Sequence, residues 1–253
     1  MLKTRVMPCL LLRNRGLVKT IKFKKPAYVG DPVNTVRIFN EKEVDELILL
    51  DITATTEKKK PSFEIIEEIA GECFMPFTYG GGISSVEDAC TILNLGVEKT
   101  VVNSEAVANP AFITQLAERF GSQSVVVSID VRRKMFGPYE VYTHGGRKAA
   151  GLDPVAWAVR AEQMGAGEIL LTSINRDGVM DGYDIELIKS VSRAVSIPVI
   201  ACGGAGTVAH FEQAVKEGGA SAVAAGSMVV YQGKNRAVLI NFPYRRELAG
   251  VLD

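Results

Sequence analysis

Three aspartates stand where apolar runs end: Asp51 after ELILL, Asp130 after VVVSI, and Asp177 in the SINRDG stretch after EILLT. Carboxylates at the ends of buried strands point into the mouth of a barrel, where they can take or give protons. Asp130 follows the most apolar of these runs, so partial desolvation would raise its pKa toward a useful value. The bland alternative is a buried aspartate bonded to neighbouring backbone. His144 and His210 are the only histidines, which leaves acid–base work mainly to carboxylates. Thr172 and Lys19 are candidate polar contacts to a substrate. Lys19 lies in a basic loop with Arg13 and Arg15, and could equally be solvated.

Two glycine clusters supply a second chemistry. Gly80, Gly81 and Gly82 follow one strand; Gly203, Gly204 and Gly206 follow another. Glycines at strand ends let backbone N–H groups approach an oxyanion closely. Asn103 with Ser104, and Gly226 with Ser227, would complete each cup with further donors. Two cups imply a substrate with a phosphate at each end; the other reading is a pair of tight turns without ligand. A third constellation consists of Arg5, Glu46, Lys99 and Glu168, each at or just before the start of a strand. Two cations and two anions there could close an ion-pair ring on a barrel axis, either as a plug or as a gate.

The elements that must position these groups alternate along the chain. Candidate strands fall at 6–12, 46–52, 76–81, 99–104, 124–131, 168–174, 198–204 and 222–227. Amphipathic helical segments separate them, several ending on glycine. Near-continuous apolar strands suit a parallel sheet covered on both faces. Eight strand–helix units in this length give an α/β fold, a (βα)8 TIM barrel, as one domain over residues 1–253. MPFTYGGGIS resembles IPVIACGGAG, ELILLDIT resembles EILLTSIN, and VVNSEAV resembles AAGSMVV, all offset by about 120 residues. The barrel therefore reads as two related half-barrels, and the offset sets Leu11 of the first half against Asp130 of the second. Zero formal net charge argues against nucleic acid or an anionic membrane as partner. The N-terminal apolar run is too short for a signal peptide or a membrane span. Cys9, Cys73, Cys90 and Cys202 lack metal-ligand spacing and read as reduced core thiols of a cytoplasmic protein.

RVMPCL, GDPV, DELILLDITAT, PFTYGGGI, NPAFITQLAERFGSQSVVVSID, GAGEILLTSINRDG and IACGGAG together resemble the HisF family over essentially the whole chain. That family is the cyclase subunit of imidazole glycerol phosphate synthase. The resemblance implies a HisH-like glutaminase partner whose ammonia crosses the barrel to a bis-phosphorylated ribulosyl aminoimidazole-carboxamide nucleotide. The products there are imidazole glycerol phosphate and aminoimidazole carboxamide ribotide, with no metal or organic cofactor. By the same resemblance Asp130 matches a catalytic aspartate and Lys19 a loop lysine. Gly82, Asn103 and Ser104 match one phosphate site; Asp177, Gly178, Gly204, Gly226 and Ser227 match the other. Arg5, Glu46, Lys99 and Glu168 match an ammonia gate, and Glu98 an acid that faces the glutaminase.

The departures are specific. Leu11 in PCLLL replaces the family's other catalytic aspartate, and leucine can neither donate nor accept a proton. The first loop, KTIKFKKPAYVGDP, is rich in lysine, and Asn175 stands where the family shows an acid. PCLLL and this loop resemble HisF-like paralogues of surface-polysaccharide pathways. Those supply ammonia for turning an acetamido sugar into an acetamidino sugar, with a separate sugar amidotransferase as a further partner. An active cyclase subunit of histidine biosynthesis, and a non-catalytic scaffold for the glutaminase, are the alternatives.

Overall fold

The computed structural model describes residues 4–134 and 137–252. In chain order its strands and helices are β1 (Arg5–Arg13), β2 (Gly16–Ile21), β3 (Lys24–Gly30), α1 (Pro32–Glu41), β4 (Leu47–Asp51), α2 (Phe63–Ala70), β5 (Phe77–Gly80), α3 (Val86–Asn94), β6 (Lys99–Val102), α4 (Ser104–Ala108), α5 (Ala111–Phe120), β7 (Val125–Arg133), β8 (Tyr139–Thr143), β9 (Lys148–Ala149), α6 (Pro154–Gln163), β10 (Glu168–Ser173), α7 (Ile185–Ser192), β11 (Val199–Cys202), α8 (Val208–Lys216), β12 (Ala222–Ala225), β13 (Tyr231–Gln232), β14 (Ala237–Val238) and α9 (Arg245–Leu252). Eight of the strands pair in parallel in the order β1, β4, β5, β6, β7, β10, β11, β12. The pairing of β12 with β1 closes the barrel. These eight match the strands expected from the apolar runs.

Side chains that alternate along each strand divide into two cores. Met7, Cys9, Ile48, Val101, Val126, Leu170, Ile200, Ala222 and Ala224 fill the barrel interior. The larger core lies between the strands and the helical ring, and includes Phe39 of α1, Leu116 of α5, Trp157 of α6 and Phe211 of α8. Each of those helices presents one apolar face inward, which is what their spacing dictates. The half-barrel relation extends to the caps. Asp31 caps α1 ahead of Pro32 and Asp153 caps α6 ahead of Pro154, each carboxylate accepting the N–H three residues on. A side-chain acceptor satisfies an orphan N–H, and proline is preset for the first helical turn.

The stretch after β1 departs from the basic loop expected there. It folds as a hairpin, with β2 antiparallel to β1 and β3 antiparallel to β2. At the corresponding place in the second half, β8 and β9 extend β7. Both extensions stand at the C-terminal mouth.

Candidate active site

The mouth encloses a cavity of about 930 Å³ lined by both glycine clusters and by Asp130, Lys19 and Leu11. Asp130, near the end of β7, accepts hydrogen bonds from Asn103 Nδ2 (2.9 Å) and Ser128 Oγ (3.4 Å). Burial pushes its carboxyl up to about 7, against the opposing hydrogen bonds of Ser128, Asn103 and Thr172. A carboxyl near that value can either hold or release a proton at neutral pH. Leu11 projects into the same cavity and is paired in register with Leu50 on one side and Val18 on the other. The wall across from the acid is therefore apolar.

Lys19 is not solvated: it is only 5% exposed, and its Nζ donates to the Cys9 carbonyl at 2.5 Å. The hairpin turns it inward, over Gly226, where an added Cβ would lie 2.9 Å from Nζ. Burial lowers its pKa, while negative charge on Cys9, Asp177 and Cys202 would work the other way. Asp177, expected at a phosphate site, lines the cavity and is also bonded to the hairpin. Its carboxylate accepts from Thr20 Oγ1 (2.7 Å) and Phe23 N (3.0 Å), and its carbonyl accepts from Lys22 N (2.9 Å). Asp177 thus ties the hairpin down. Asp51 lines the cavity but one oxygen is committed to Thr53 N, Thr53 Oγ1 and Ala54 N, holding the turn after β4.

The two cups are present as backbone shapes. At Gly82 (φ 74°) the N–H donates to Thr55 Oγ1, and Ser104 Oγ accepts from His144 N. Asn103 Oδ1 is buried without a hydrogen-bond partner among the described residues. In the other cup, a Cβ on Gly204 (φ 120°) would come within 2.1 Å of the Gly182 carbonyl, and one on Gly178 within 2.0 Å of the Thr20 carbonyl. Only glycine fits at either position. Ser227 is buried beside Gly226, and Asn175 faces away, exchanging hydrogen bonds with the Arg133 backbone.

At the opposite end the four charged residues do close a ring. Arg5 reaches Glu46 at 2.6 Å and Glu168 at 2.8 Å; Lys99 reaches the same two at 3.0 and 3.4 Å. Burial opposes the charge on Arg5, but the two carboxylates outweigh it and raise its pKa. Thr78, not singled out from the sequence, donates to Glu46 at 2.8 Å. Glu98, just before β6, is exposed at this end, as is Phe74 at 88% in the turn before β5. Phe74 also escaped the sequence reading, because a single phenylalanine between polar residues carries no pattern.

The cysteines differ from the expected set of core thiols. All four are free, but only Cys9 is fully buried; Cys73, Cys90 and Cys202 are partly exposed. Among the described residues, no group of three or more His, Cys, Asp or Glu is placed to hold a metal ion. No helix among them is long and apolar enough to cross a membrane.

A closed parallel barrel with glycine turns and one tunable carboxyl at its mouth, and a charged ring across its base, defines a (βα)8-barrel protein. The model of the histidine biosynthesis protein family matches residues 5–236. A protein of Pseudomonas aeruginosa strain PAO1, provisionally named imidazole glycerol phosphate synthase subunit hisF2, is 53% identical over 96% of this chain and 97% of its own. A provisionally named HisF subunit from Leptospira interrogans is 49% identical over 98% of each chain. The imidazole glycerol phosphate synthase subunit HisF of Alkaliphilus metalliredigens is 47% identical over 91% of this chain and 92% of its own. The chain belongs to the HisF family of histidine biosynthesis proteins.

Proposed function

We propose that this chain is a HisF-type subunit that receives ammonia from a HisH-like glutaminase at its charged end and releases it at the mouth to an acceptor other than the imidazole-forming nucleotide. The observation that carries this reading is Leu11: the mouth keeps Asp130 and both cups but offers leucine where a two-carboxylate cyclase needs its second acid. Losing one member of a cooperative pair removes most of the activity of the pair. Among acceptors, the acetamido group of a surface-polysaccharide sugar, processed with a separate sugar amidotransferase, fits the resemblance best. Glu98 and Phe74 are the candidate contacts for the glutaminase.

Chemically, uncharged ammonia passes the interior lined by Met7, Ile48, Val126 and Leu170, whereas ammonium is excluded by its desolvation cost. Passage requires the Lys99 or Arg5 side chain to leave the ring for a moment. At the mouth the nitrogen lone pair adds to the carbonyl carbon of the acceptor, opening its C=O π bond onto oxygen, and the activated departure of that oxygen falls to the separate sugar amidotransferase. Asp130, as carboxylate, takes the proton that the nitrogen sheds. The retained ring weighs against a pure scaffold, which needs no passage.

The test supplies the purified chain with the bis-phosphorylated nucleotide and excess ammonium salt. No detectable imidazole product, with product appearing in the Leu11→Asp variant, is the expected result. Wild-type turnover at the level of ordinary family members would return the chain to histidine biosynthesis, the second reading, which the intact cups and Asp130 favour.

A further inference from the structure

The turn between β8 and β9 carries a histidine that the proposed ammonia chemistry leaves unused. His144, Gly145 and Gly146 are all left-handed there, with φ of 53°, 62° and 74°. Glycine takes that conformation freely; a residue with a side chain keeps it only where its surroundings over-determine it. Arg147 N donates to the Thr143 carbonyl at 3.1 Å and closes the turn, and Arg132 Nη2 donates to the Gly146 carbonyl at 3.1 Å. Phe23, between β2 and β3, packs on Gly146, where an added Cβ would lie 2.9 Å from its ring. The His144 N–H donates to Ser104 Oγ at 3.0 Å. The turn thus holds a strained histidine in the wall of the mouth cavity.

Its imidazole is committed at one nitrogen. Nδ1 lies 2.9 Å from Thr143 Oγ1, whose own hydroxyl donates to the Lys148 carbonyl at 3.4 Å. A hydroxyl has one hydrogen, so Nδ1 is the donor of the pair, and neutral His144 carries a bare lone pair at Nε2. Nε2 makes no hydrogen bond to the described residues. Ser104 Oγ accepts from the His144 N–H and keeps its own hydrogen free to donate. Of the charged groups lining the cavity, Asp130 bonds Asn103, Glu57 pairs with Lys59 at 2.6 Å, Asp51 holds its own turn and Lys60 reaches Asp88 at 3.7 Å. Lys19 and Asp177 are bonded to Cys9 and to the hairpin. Arg13, Lys58, Arg147 and Glu105 complete the lining, three cations to one acid. That balance favours an anion.

We propose that His144 binds an anionic group of the ammonia acceptor at the cup of Gly82 and Ser104, and takes up one proton as it does so. Nδ1–H stays on Thr143, the new Nε2–H donates to one oxygen of the anion, and the Ser104 hydroxyl donates to another. The proton comes from solvent, and the only bond formed is N–H. The ligand class is a doubly charged oxyanion, such as a phosphate monoester. An opposite charge beside an imidazole favours its charged form, so proton and anion each strengthen the binding of the other. The inference rests on the proposed function only in taking the ammonia acceptor to carry such a group.

The probe is inorganic sulfate, which keeps its double charge across neutral pH, added to the free subunit at ionic strength matched with sodium chloride. His144 and His210 are the two histidines of the chain, so their ring signals can be followed by proton NMR and assigned with His144→Asn. Asparagine tolerates left-handed backbone, so this variant keeps the turn. His210, whose Nδ1 accepts from Gly206 N, reports on the other cup. Saturating sulfate should raise the His144 midpoint by about one unit, which is an about tenfold tighter hold on sulfate by the protonated form. Ser104→Ala, which removes a donor at this cup alone, should shrink that shift. A His144 midpoint that sulfate leaves in place overturns the proposal, as does a shift undiminished in Ser104→Ala. So does a His144→Asn variant that melts like the wild type and binds sulfate as tightly below the wild-type midpoint. Ammonia delivery is read separately, in the glutaminase complex, so either idea can fail without the other.

Discussion

A carboxyl lifted to about 7 by burial binds protons that the unfolded chain, with an aspartate near 3.9, has already released. Folding is therefore favoured by Asp130 protonation, and that contribution is present in full below pH ~4 and lost as pH rises through about 7. Asp130→Asn has no such titration. The wild type should lose stability relative to this variant between those limits, by ~2 kcal/mol once partial solvent screening at the mouth is allowed for. For a chain of this size that is a shift of ~5 °C in melting temperature, read from melts at stepped pH. Parallel melting curves would mean that Asp130 is ordinarily acidic. Asp130 and Leu11 were both legible in the sequence, one by its apolar approach and the other by the internal repeat. The inward Lys19 was not, since lysine almost always marks solvent.

The hairpin of β2 and β3 illustrates how an element escapes a pattern. Its covered stretch, Leu17 to Thr20, is buried on successive residues and does not alternate, while β3 is mostly exposed and rich in lysine. A run without period reads as loop. What holds it is tertiary: three hydrogen bonds to Asp177, two of them to its carboxylate. Hydrogen bonds to charged acceptors contribute about 1.5–3 kcal/mol each. Asp177→Ala should accordingly speed amide exchange across residues 16–30 by at least about tenfold, with the barrel strands unchanged. Asp177→Asn, which keeps one acceptor, should lie between. Gly178→Ala should reproduce the loosening by a different route, because its Cβ would strike the Thr20 carbonyl. Uniform protection in all three variants would assign the hairpin's order to β1 alone. If Lys19 lies inward because of this strap, phosphate affinity at the cup beside Gly226 should fall in Asp177→Ala without any change to the cup itself.

Across the whole molecule the alternation of strands and helices, the half-barrel repeat and the position of the charged ring are all legible in the sequence, because each is periodic or symmetric. The ring's closure followed once four strand starts were set around one axis; the hydrogen bond that Thr78 adds to Glu46 could not be read, since a lone threonine carries no pattern. Glu46 is 3% exposed and takes bonds from Arg5, Lys99 and Thr78, so its charge is tolerable only while cations face it. Lys99→Met strips one cation and leaves two carboxylates on Arg5; it should cost about 3 kcal/mol in a denaturant melt. Glu46→Gln alone removes one carboxylate and leaves Lys99 bonded only to Glu168, again at a loss. The double variant removes one charge of each sign, keeps similar volume, and leaves Arg5 and Glu168 paired. Its cost should fall short of the sum of the single costs by at least about 1 kcal/mol, the signature of coupled neighbours. Additive costs would show four independent ion pairs, with no stored coupling for the proposed ammonia passage to disturb. With coupling present, opening the ring at Lys99 would be a transient loss for the whole base of the barrel, which is the energetic condition the proposed ammonia gate needs.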